Sequence, residues 1–479
     1  MKTEILTADE KGLMRAAELI KAGETVAFPT ETVYGLGADA LNPAAVEKIF
    51  AAKGRPSDNP LIVHIADRKS LSEIVQNVPE KARLLMDSFW PGPLTIIMEK
   101  SDKIPLSVTA GLGTVGVRMP KSDTARRFID FCGCPIAAPS ANISGRPSPT
   151  TFKDTFEDMN NRAAAVIDGG NSSVGVESTV IDMTQELPAV LRPGGITVSQ
   201  IENVIGKVTV CKNPSDVKAP KSPGMKYRHY APRARVYILK GSLLEVKEFL
   251  DKKRGFTKRP GILCFDEMEA ELKGLAEVVS LGRMNSPEDA ANRLFSALRK
   301  MDALGADIIF APEIPEDGLW LAVKNRLYKA AGGNIIDVKK AKCMLFVCSG
   351  NTCRSPMAEG IFAAAGGNIV ASSAGLFAPV GESANEKAVI AAKKMGADIS
   401  GHRAKNISVE MLAAADIIAA MTESIKNALP FPEKTVTLYE LAGEKRDLAD
   451  PFGCSQEVYD ACAKEIKRVA EVYLKNYEN

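Results

Sequence analysis

The sequence lacks the features that mark membrane and secreted proteins. No stretch reaches the roughly 18 consecutive apolar residues that a membrane-spanning helix requires. The first ten residues contain no apolar core of a signal peptide. Nine cysteines form an odd number without framework spacing, which argues against a disulfide scaffold and indicates a reducing compartment. We therefore expect a cytoplasmic protein that makes no membrane contact.

An excess of charge of one sign is also absent. The 61 basic and 59 acidic residues leave a net charge of +2, so bulk electrostatics identify no charged partner. Histidine is scarce, at three residues, and no Walker A sequence occurs. Residues 111–116 match the dinucleotide-binding fingerprint by their glycines, but they lead into a predicted strand and not into a helix. We interpret this segment as a turn.

A chain of 479 residues is too long for one hydrophobic core, and its pattern predicts several α/β domains. Residues 1–207 form the first predicted domain, with a mixed sheet. Its predicted elements are a helix at residues 10–22 and strands at residues 25–28, 61–65, 94–98, 115–118 and 179–182.

The rest of the chain is predicted to contain a linker and two further domains. Residues 208–233 are rich in proline and predict an extended, basic linker. Residues 234–339 predict a small α/β domain, and residues 340–479 predict a third one. The small domain has predicted strands near residues 236–239, 261–265 and 307–311 and predicted helices near residues 242–252 and 287–303.

A loop in the third domain combines a cysteine with an arginine. Cys348 follows an apolar run that predicts a buried strand, and Arg354 comes six positions later. Ser355 and Pro356 then predict a helix N-cap and the first helical position. Backbone N–H groups of such a loop can bind an anion, and the helix N-terminus favours an ionised thiol. The predicted phosphate loop also contains Ser349, Gly350, Asn351, Thr352 and Cys353.

These residues suit phosphoryl transfer through a covalent intermediate. Cys348 is the candidate nucleophile, and Arg354 would hold two phosphoryl oxygens. Asp450 precedes a proline on a predicted turn and is the candidate acid for the leaving group. A lone cysteine after a strand is more commonly a core residue, and a lone Asp-Pro is more commonly a turn. The spacing to Arg354 and the predicted helix start favour the functional interpretation.

Residues 340–479 resemble the low-molecular-weight protein tyrosine phosphatases, which carry a Cys-x5-Arg-Ser loop and a later Asp-Pro acid. The resemblance implies a parallel-sheet α/β fold, phosphorylated proteins as substrates and no cofactor. Thr352 in the loop, and Phe452 and Gly453 after the Asp-Pro, are similar to the protein arginine phosphatase branch. We therefore favour protein phosphoarginine as the substrate, with phosphotyrosine as the alternative.

The other cysteines of this domain leave two further hypotheses. Cys353 could form a disulfide with Cys348 and protect it from over-oxidation, or it could simply pack the loop. Arsenate reductases share the fold but need further resolving cysteines. Only Cys454 and Cys462 follow, so we disfavour that function.

Four loops of the N-terminal domain are rich in glycine, proline and polar side chains. Lys53, Arg55 and Arg192 supply positive charge there. Such loops on one face suit a polyphosphate with Mg²⁺, but each loop alone equally fits a solvated turn. The residues by themselves leave both interpretations open. The loops lie at residues 29–37, 53–60, 139–148 and 192–195.

Several segments of this part resemble the two-domain form of the threonylcarbamoyl-AMP synthase family, and the resemblance extends to about residue 338. The linker segment Ser-Pro-Gly-Met-Lys-Tyr-Arg-His-Tyr-Ala-Pro is the mark of that form. The other matching segments are Pro-Thr-Glu-Thr-Val-Tyr-Gly-Leu, Lys-Gly-Arg-Pro, Asn-Pro-Leu, Pro-Ser-Ala-Asn-Ile-Ser-Gly and Glu-Ser-Thr-Val.

The resemblance implies a reaction and a set of binding residues. L-threonine, bicarbonate and ATP with Mg²⁺ would give threonylcarbamoyl-AMP, which is used to modify an adenosine in tRNA. No residue is assigned to a resident metal, and the tRNA-modifying transferase complex is a further candidate partner. Threonine would be held by Thr32, His64, Arg118 and Ser178. ATP would be held by Lys53, Arg55, Asn59, Thr114, Ser140, Asn142, Ser148, Arg192 and Tyr230.

A second hypothesis gives the N-terminal part a function of another class. It would be an RNA-binding module that only carries the phosphatase to its targets. The basic linker supports this, although Tyr227 and Tyr230 are its only aromatic residues and single-strand binders interleave many. We favour a bifunctional enzyme with a mixed-sheet synthase domain, a small α/β domain and a parallel-sheet phosphatase domain.

Overall fold

The computed structural model describes residues 2–211 and 230–477. It divides the chain into two compact units. The N-terminal unit contains Met1–Ala231, Leu281–Arg299 and Ile314–Ala330, and the C-terminal unit contains Pro232–Ser280, Lys300–Glu313 and Ala331–Asn479. Most of the predicted linker, including Tyr227, lies outside the described residues. The multidomain α/β fold predicted from the sequence is confirmed.

In the described part of the N-terminal unit, eleven strands form one mixed sheet, as predicted. The strands are β1 (Glu4–Thr7), β2 (Val26–Phe28), β3 (Gly35–Asp39), β4 (Ile62–His64), β5 (Leu94–Glu99), β6 (Thr114–Arg118), β7 (Ile136–Ala138), β8 (Ala165–Asp168), β9 (Thr179–Asp182), β10 (Ala189–Arg192) and β11 (Thr209–Val210). Their order along the sheet is β1-β8-β2-β3-β7-β4-β6-β5-β9-β10-β11.

Helices pack on this sheet through two apolar cores. Alternate residues of β2 serve different cores, since Val26 and Phe28 join one cluster and Ala27 joins the other. The sheet is therefore covered on both faces. The helices are α1 (Glu10–Lys21), α2 (Pro43–Lys53), α3 (Leu71–Ile74), α4 (Glu80–Phe89), α5 (Leu106–Thr109), α6 (Asp123–Cys132), α7 (Phe152–Met159) and α8 (Val198–Ile205), with a short 3-10 helix at Arg68–Ser70.

The strand register brings together residues that are far apart in sequence. His64 ends β4 beside Arg118, which ends the parallel strand β6. Ser140 follows β7 and forms an isolated bridge to the start of β3. Ser178 immediately precedes β9, and Arg192 ends the antiparallel neighbour β10. These strand ends supply five of the thirteen predicted binding residues.

Residues 29–37, which the sequence predicts as a loop, include the start of a strand. Gly35 and Gly37 both belong to β3, and a Cβ added at Gly37 would lie 2.9 Å from Phe28 Cε1 and 2.7 Å from Ile136 Cγ2. Only glycine permits this close packing. Residues 111–113 form a turn and residues 114–116 already belong to β6, so the segment leads into a strand and not into a helix, as predicted.

In the described residues of the C-terminal unit, two sheets are parallel throughout. The first has the order β14-β13-β15-β12-β16, with β12 (Arg235–Lys240), β13 (Pro260–Cys264), β14 (Glu277–Ser280), β15 (Ile308–Pro312) and β16 (Ile335–Asp337). The second has the order β18-β17-β19-β20, with β17 (Lys342–Cys348), β18 (Ile369–Gly375), β19 (Ile417–Ala420) and β20 (Thr435–Thr437).

The predicted small domain, residues 234–339, is divided between the two units. Its sheet belongs to the C-terminal unit, but residues 281–299 and 314–330 group with the N-terminal unit. The helices after α8 are α9 (Leu243–Lys252), α10 (Asp266–Leu272), α11 (Pro287–Ala303), α12 (Trp320–Ala331), α13 (Arg354–Ala365), α14 (Glu386–Lys394), α15 (Val409–Ala414), α16 (Glu423–Asn427) and α17 (Gln456–Tyr477), with 3-10 helices at Pro432–Lys434 and Tyr439–Ala442.

One continuous apolar core serves both sheets of the C-terminal unit. It contains Tyr237 and Phe310 of the first sheet and Phe346 of the second. The Tyr237 hydroxyl also accepts a hydrogen bond from the Ala371 N–H of β18, at 3.1 Å. The two sheets therefore pack as one body. Across residues 2–211 and 230–477, no helix combines the length and apolarity needed to cross a bilayer.

Candidate active sites

Nine of the thirteen predicted binding residues of the N-terminal unit line one cavity. The structure thus brings members of the predicted threonine and ATP groups to the same place. From the threonine group the lining includes Thr32, His64, Arg118 and Ser178, and from the ATP group Arg55, Ser140, Asn142, Arg192 and Tyr230. The rest of the lining consists of Thr30, Val33, Gly35, Ile62, Ala138, Pro139 and Glu177.

Arg118 is fixed in this cavity by buried acceptors. Its Nη2 lies 2.6 Å from Glu31 Oε1, its Nη1 donates to Thr32 Oγ1 at 2.8 Å, and its Nε donates to Gly92 O at 3.3 Å. Burial raises the pKa of Glu31, but Arg118 more than offsets this and holds that pKa below its usual value. These bonds use three of the five N–H donors of Arg118, and the other two have no acceptor among the described residues.

His64 is a neutral side chain beside Arg118. Its Nδ1 lies 3.2 Å from Ile62 O, and its ring packs edge-on against Phe28 at a centroid distance of 6.0 Å. Burial, followed by the positive charge of Arg118, lowers the pKa of His64 to about 3. His64 can therefore offer a hydrogen bond to a ligand without adding positive charge.

A second buried glutamate orients a predicted ATP residue. Glu177 Oε1 accepts a hydrogen bond from Ser148 Oγ at 2.7 Å, and Glu177 Oε2 lies 3.0 Å from Arg326 Nε. Arg326 is 0% exposed and also donates to Pro193 O. Burial raises the pKa of Glu177, but the positive Arg326 and Arg192 bring it below its usual value. The carboxylate therefore stays charged and holds the Ser148 hydroxyl.

Arg192 supports the residue that begins β9. Its Nε and Nη2 donate to Ser178 O at 3.2 and 3.0 Å, and Nη2 also lies 3.2 Å from Ser178 Oγ. The Ser178 hydroxyl lies 2.8 Å from Thr95 Oγ1. The arginine thus joins the predicted threonine and ATP groups directly.

Lys53 points into the protein and supports the loop after β7. Its Nζ donates to Ser140 O at 2.5 Å, to Asn142 O at 2.6 Å and to Asn142 Oδ1 at 3.3 Å. Burial, followed by the nearby Arg55, lowers the pKa of Lys53. In this arrangement Lys53 positions Ser140 and Asn142, and its direct contact with ATP stays a prediction.

The other predicted ATP residues differ in their placement. Arg55 Nη2 donates to Asn59 O at 3.3 Å, and Asn59 Oδ1 is buried without a partner among the described residues. Tyr230 has a left-handed backbone and packs on Phe295 at 5.1 Å. Thr114 begins β6 four residues before Arg118, which is about 13 Å along the strand. The structure therefore does not bring Thr114 to the residues described above.

Three buried charged residues of this site were not among the predicted site residues. Two of them, Glu31 and Glu177, lie within segments 29–36 and 177–180, which carry the family resemblance and could have pointed to them. Arg326 lies on α12 and reads as an ordinary helical arginine. Its role depends on a contact across 149 positions of sequence, which no local pattern encodes.

In the C-terminal unit, Cys348 ends β17 with its sulfur facing the loop. Its Sγ lies 3.1 Å from the Asn351 backbone N, which donates, and 3.0 Å from Ser355 Oγ. The residue is 3% exposed. The sulfur is therefore in contact with one backbone donor and one hydroxyl, which fits the predicted nucleophile.

Asn351 holds the shape of this loop. Its backbone is left-handed, with φ of 52°, which asparagine tolerates better than most residues. Its Nδ2 donates to Ser355 Oγ and Ser373 Oγ, both at 2.9 Å. Its Oδ1 accepts from Lys405 N at 2.9 Å, and its carbonyl oxygen lies 2.9 Å from His402 Nε2. These contacts keep the Asn351 N–H directed at the sulfur.

The predicted arginine and acid are in direct contact. Arg354 Nη2 lies 2.5 Å from Asp450 Oδ2, and Arg354 Nη1 donates to Leu448 O at 3.1 Å. Asp450 Oδ1 accepts from Phe452 N at 3.2 Å. The Asp450 side chain is 47% exposed and that of Arg354 is 7% exposed, so the acid is open to solvent where a leaving group can meet it.

The prediction that Ser355 caps the helix is wrong. Helix α13 begins at Arg354 with Cys353 as its N-cap, so Pro356 is its third residue and not its first. The reason is that the Ser355 hydroxyl faces the Cys348 sulfur and the Asn351 amide. Pro356 still lies in the first turn, where its missing N–H costs no helical hydrogen bond.

The remaining cysteines of this domain occupy buried or packed positions. Cys353 Sγ lies 3.4 Å from Tyr459 Oη and 3.7 Å from Thr352 Oγ1, and burial raises the pKa of Cys353. Its disulfide with Cys348 stays a prediction. Burial raises the pKa of Cys462 to about 12, which does not suit the resolving thiol of an arsenate reductase.

Three family models match successive parts of the chain. Residues 18–194 match the one described as Telomere recombination. Residues 196–332 match Threonylcarbamoyl-AMP synthase, C-terminal domain, and residues 343–479 match Low molecular weight phosphotyrosine protein phosphatase. Fold, cavity and matches together define an α/β synthase fused to a phosphatase domain.

Similar proteins extend this result over most of the chain. The threonylcarbamoyl-AMP synthase of Bacillus subtilis is 48% identical over 336 residues, which cover 70% of this chain and 97% of its own length. The crystal structure of Pyrococcus abyssi Sua5 complexed with L-threonine is 45% identical, covers 70% of this chain and 99% of its own, and has a TM-score of 0.66. The chain belongs to the threonylcarbamoyl-AMP synthase family.

For the C-terminal part, the arginine phosphatase of Geobacillus stearothermophilus is 35% identical and covers 29% of this chain and 93% of its own. Its TM-score of 0.27 carries no structural argument. The substrate class of this part therefore rests on its own residues.

Replacing Arg326 with Met should weaken the N-terminal unit and its hold on ATP. The buried Glu177 would lose its charge partner, and breaking a buried ion pair costs roughly 3–5 kcal/mol. The urea midpoint should fall, and the KM for ATP should rise as Ser148 loses its orientation. Trp90 and Trp320 are the two tryptophans of the chain and both lie in this unit, so their fluorescence follows its unfolding.

Lys324→Met is the matched control on the same helix. Lys324 pairs with the exposed Glu316, and such a pair contributes up to about 1 kcal/mol. Equal unfolding midpoints for the two variants would contradict the role given to Arg326.

The low pKa of His64 should make the N-terminal unit less stable in acid. The unfolded side chain has a pKa of 6.5 and the folded one about 3, so the unfolded state binds the extra proton between these values. The free energy of unfolding then falls as the pH drops through this window, by about 2 kcal/mol between roughly pH 6.5 and pH 5.

His64→Gln should remove this part of the acid loss in urea titrations followed by tryptophan fluorescence. His402→Gln is the control, because His402 lies in the other unit. A His64→Gln protein with the wild-type pH dependence would show that the folded imidazole is protonated.

Proposed function

We propose that the chain is a bifunctional enzyme. Its N-terminal part forms threonylcarbamoyl-AMP and pyrophosphate from L-threonine, bicarbonate and ATP, for use in modifying a tRNA adenosine. Residues 343–479 remove the phosphoryl group of protein phosphoarginine. The cysteines that the structure describes are all free, which suits the reducing cytoplasm in which we expect the enzyme to act.

The single cavity lined by both predicted groups carries the synthase proposal. Arg118 and Thr32 would hold the carboxylate of threonine, while Arg55 and Arg192 in the same walls would neutralise phosphate charge. A carbamate formed on the threonine amine would attack the α-phosphorus, and pyrophosphate would leave. The protein contributes mainly positioning and positive charge.

Mg²⁺ would enter this cavity as part of the ATP substrate. In residues 2–211 and 230–477, no group of three or more histidine, cysteine or acidic residues is arranged to hold a metal. Glu31 and Glu177 are already paired with arginines. Mg²⁺ usually keeps several waters and binds phosphate oxygens, so these residues fit a metal that ATP carries.

The competing hypothesis of an RNA-binding module predicts binding without chemistry. Pyrophosphate release that requires threonine, bicarbonate and ATP together would support the synthase. RNA binding without any such release would favour the module. For the synthase, the tRNA-modifying transferase complex is the expected recipient of the product.

The phosphatase proposal rests on the contacts of the Cys348 sulfur with the Asn351 N–H and the Ser355 hydroxyl. The thiolate would attack phosphorus while Arg354 and loop N–H groups bind the phosphoryl oxygens. Asp450 would give its proton to the departing guanidino nitrogen and then take one from the water that hydrolyses the phosphocysteine. Ser355 Oγ, 3.0 Å from Sγ, can donate to the thiolate released in that step.

Residues around the loop favour phosphoarginine over phosphotyrosine. Thr352 places a hydroxyl in the loop, which can orient the water or the phosphoryl group of a P–N bond. Phe452 follows the Asp-Pro turn and is 71% exposed, so its ring is free to stack on a planar guanidinium. Phosphotyrosine stays the second candidate, because the same ring can also stack on a phenyl group.

Cys348→Ser should abolish phosphate release and leave threonylcarbamoyl-AMP formation unchanged. The two reactions use residues of different units, so removing the nucleophile should not disturb the other cavity. Phosphate and pyrophosphate are measured separately on the same preparation. Loss of both activities in a variant with the wild-type circular dichroism spectrum would contradict two independent sites.

Thr352→Ile should shift the preference from phosphoarginine toward phosphotyrosine. The hydroxyl is replaced by a methyl-rich chain, so kcat/KM for phosphoarginine peptides should fall about tenfold relative to phosphotyrosine peptides. Thr352→Ser keeps the hydroxyl and is the control. If both variants keep the wild-type ratio of rates, Thr352 does not select the substrate.

A further inference from the structure

An arginine from outside the phosphatase domain reaches the helix that follows the phosphate loop. Arg235 begins β12, more than a hundred positions before the family match at residues 343–479. Its Nη1 donates to Glu359 O at 2.9 Å. A Cβ added at Gly360 would lie 3.8 Å from Arg235 Nη2 and 2.5 Å from Ile399 Cγ2. The guanidinium therefore lies directly against α13.

The positive charge of Arg235 favours the ionised form of the Glu359 side chain. Burial raises the pKa of Glu359, but the charge of Arg235, followed by those of His402 and Lys405, brings that pKa below its usual value. Glu359 Oε2 accepts a hydrogen bond from Ser373 Oγ at 2.6 Å and lies 3.9 Å from His402 Nδ1. Arg235 thus helps to keep this carboxylate ionised as an acceptor.

From Glu359 a chain of hydrogen bonds leads to the nucleophile. Ser373 Oγ donates to Glu359 and so accepts from Asn351 Nδ2 at 2.9 Å. The same amide donates to Ser355 Oγ, which lies 3.0 Å from Cys348 Sγ. If Glu359 lost its charge or moved, Ser373 would be free to rotate, and Asn351 would lose a fixed acceptor.

A second contact between the same domains reaches Asn351 from the other side. A Cβ added at Gly401 would lie 2.7 Å from Arg233 O, so the backbones approach closely there. Lys405 Nζ lies 3.9 Å from Asp307 Oδ2 of the first sheet, and its backbone N–H donates to Asn351 Oδ1. The segment that holds Asn351 is therefore itself packed against the residues around β12 and β15.

We propose that Arg235 is a positioning residue of the phosphatase, supplied by the C-terminal domain of the synthase. It donates to the Glu359 backbone, and its charge favours the Glu359 carboxylate, which through Ser373 and Asn351 directs the loop N–H at the Cys348 sulfur. The synthase domain would thus complete the phosphatase site as well as its own. This inference rests on the proposed phosphatase function.

The test compares three full-length variants with the wild type. Arg235→Gln removes the charge, Arg235→Lys restores it, and Arg254→Gln is the control. Arg254 is an exposed arginine of the same domain that pairs with Asp251. Hydrolysis of a small aryl phosphate gives kcat and KM. The pH dependence of Cys348 alkylation by iodoacetamide, localised by tandem mass spectrometry, reports on the sulfur without requiring turnover.

Arg235→Gln should lower kcat about tenfold, with little change in KM, and should shift the alkylation midpoint of Cys348 to higher pH. Arg235→Lys should recover much of both effects, and Arg254→Gln should match the wild type. Threonylcarbamoyl-AMP formation should be unaffected in all three. The alkylation shift should appear at temperatures where thermal unfolding curves show that every variant is folded. It would then report a change at the Cys348 sulfur and not a loss of folded protein.

Two results would overturn the proposal. One is an Arg235→Gln enzyme with wild-type kcat and alkylation profile. The other is a loss of kcat that follows the folded fraction alone and that Arg235→Lys does not repair. A wild-type protein that hydrolyses neither aryl phosphate nor phosphoarginine would instead refute the phosphatase function, and the alkylation profiles would still test the contact.

Discussion

In both candidate sites, a glutamate beside an arginine from a distant part of the chain anchors the hydrogen bonds that orient the other residues. A buried carboxylate without a partner costs several kcal/mol, so each pair ties two remote segments together. The neighbouring hydrogen bonds then orient the residues that face the ligands. Glu31 pairs with Arg118 and Glu177 with Arg326. Arg235 donates to the backbone carbonyl of Glu359 and acts on its carboxylate through charge alone.

This construction leaves the reactive groups with little freedom before a substrate arrives. Ser148 has its hydroxyl committed to Glu177, and Asn351 has its amide committed on both sides. Enzymes gain rate when such groups are already oriented, because no reorganisation is then needed in the transition state. The cost is that positions far from the chemistry become sensitive to substitution.

The sequence predicted local features well and long-range ones poorly. The strand at residues 179–182 and the helix at residues 287–303 were predicted with their observed bounds, since their apolar patterns are clear. The Cys348 loop was recognisable because its parts are adjacent in sequence. Gly35 and Gly37 carry no apolar side chain, so β3 was not visible as a strand.

Arginines with structural roles were the other feature that the sequence concealed. Arg326 and Arg235 look like ordinary charged residues of a helix and a strand, and only the folded chain shows what they contact. The predicted bounds of the small domain, residues 234–339, also differ from the compact units. Residues 281–299 and 314–330 group with the N-terminal unit and the sheet groups with the C-terminal unit, a division that no local sequence pattern encodes.

The contact made by the Tyr237 hydroxyl matters for chains whose synthesis stops early. The hydroxyl is fully buried and bonded to a strand of the following domain. A ribosome that stopped before residue 343 would release a protein whose first parallel sheet has an uncovered apolar side. Such a fragment would be a target for proteases and chaperones, because exposed apolar surface marks an incompletely folded chain.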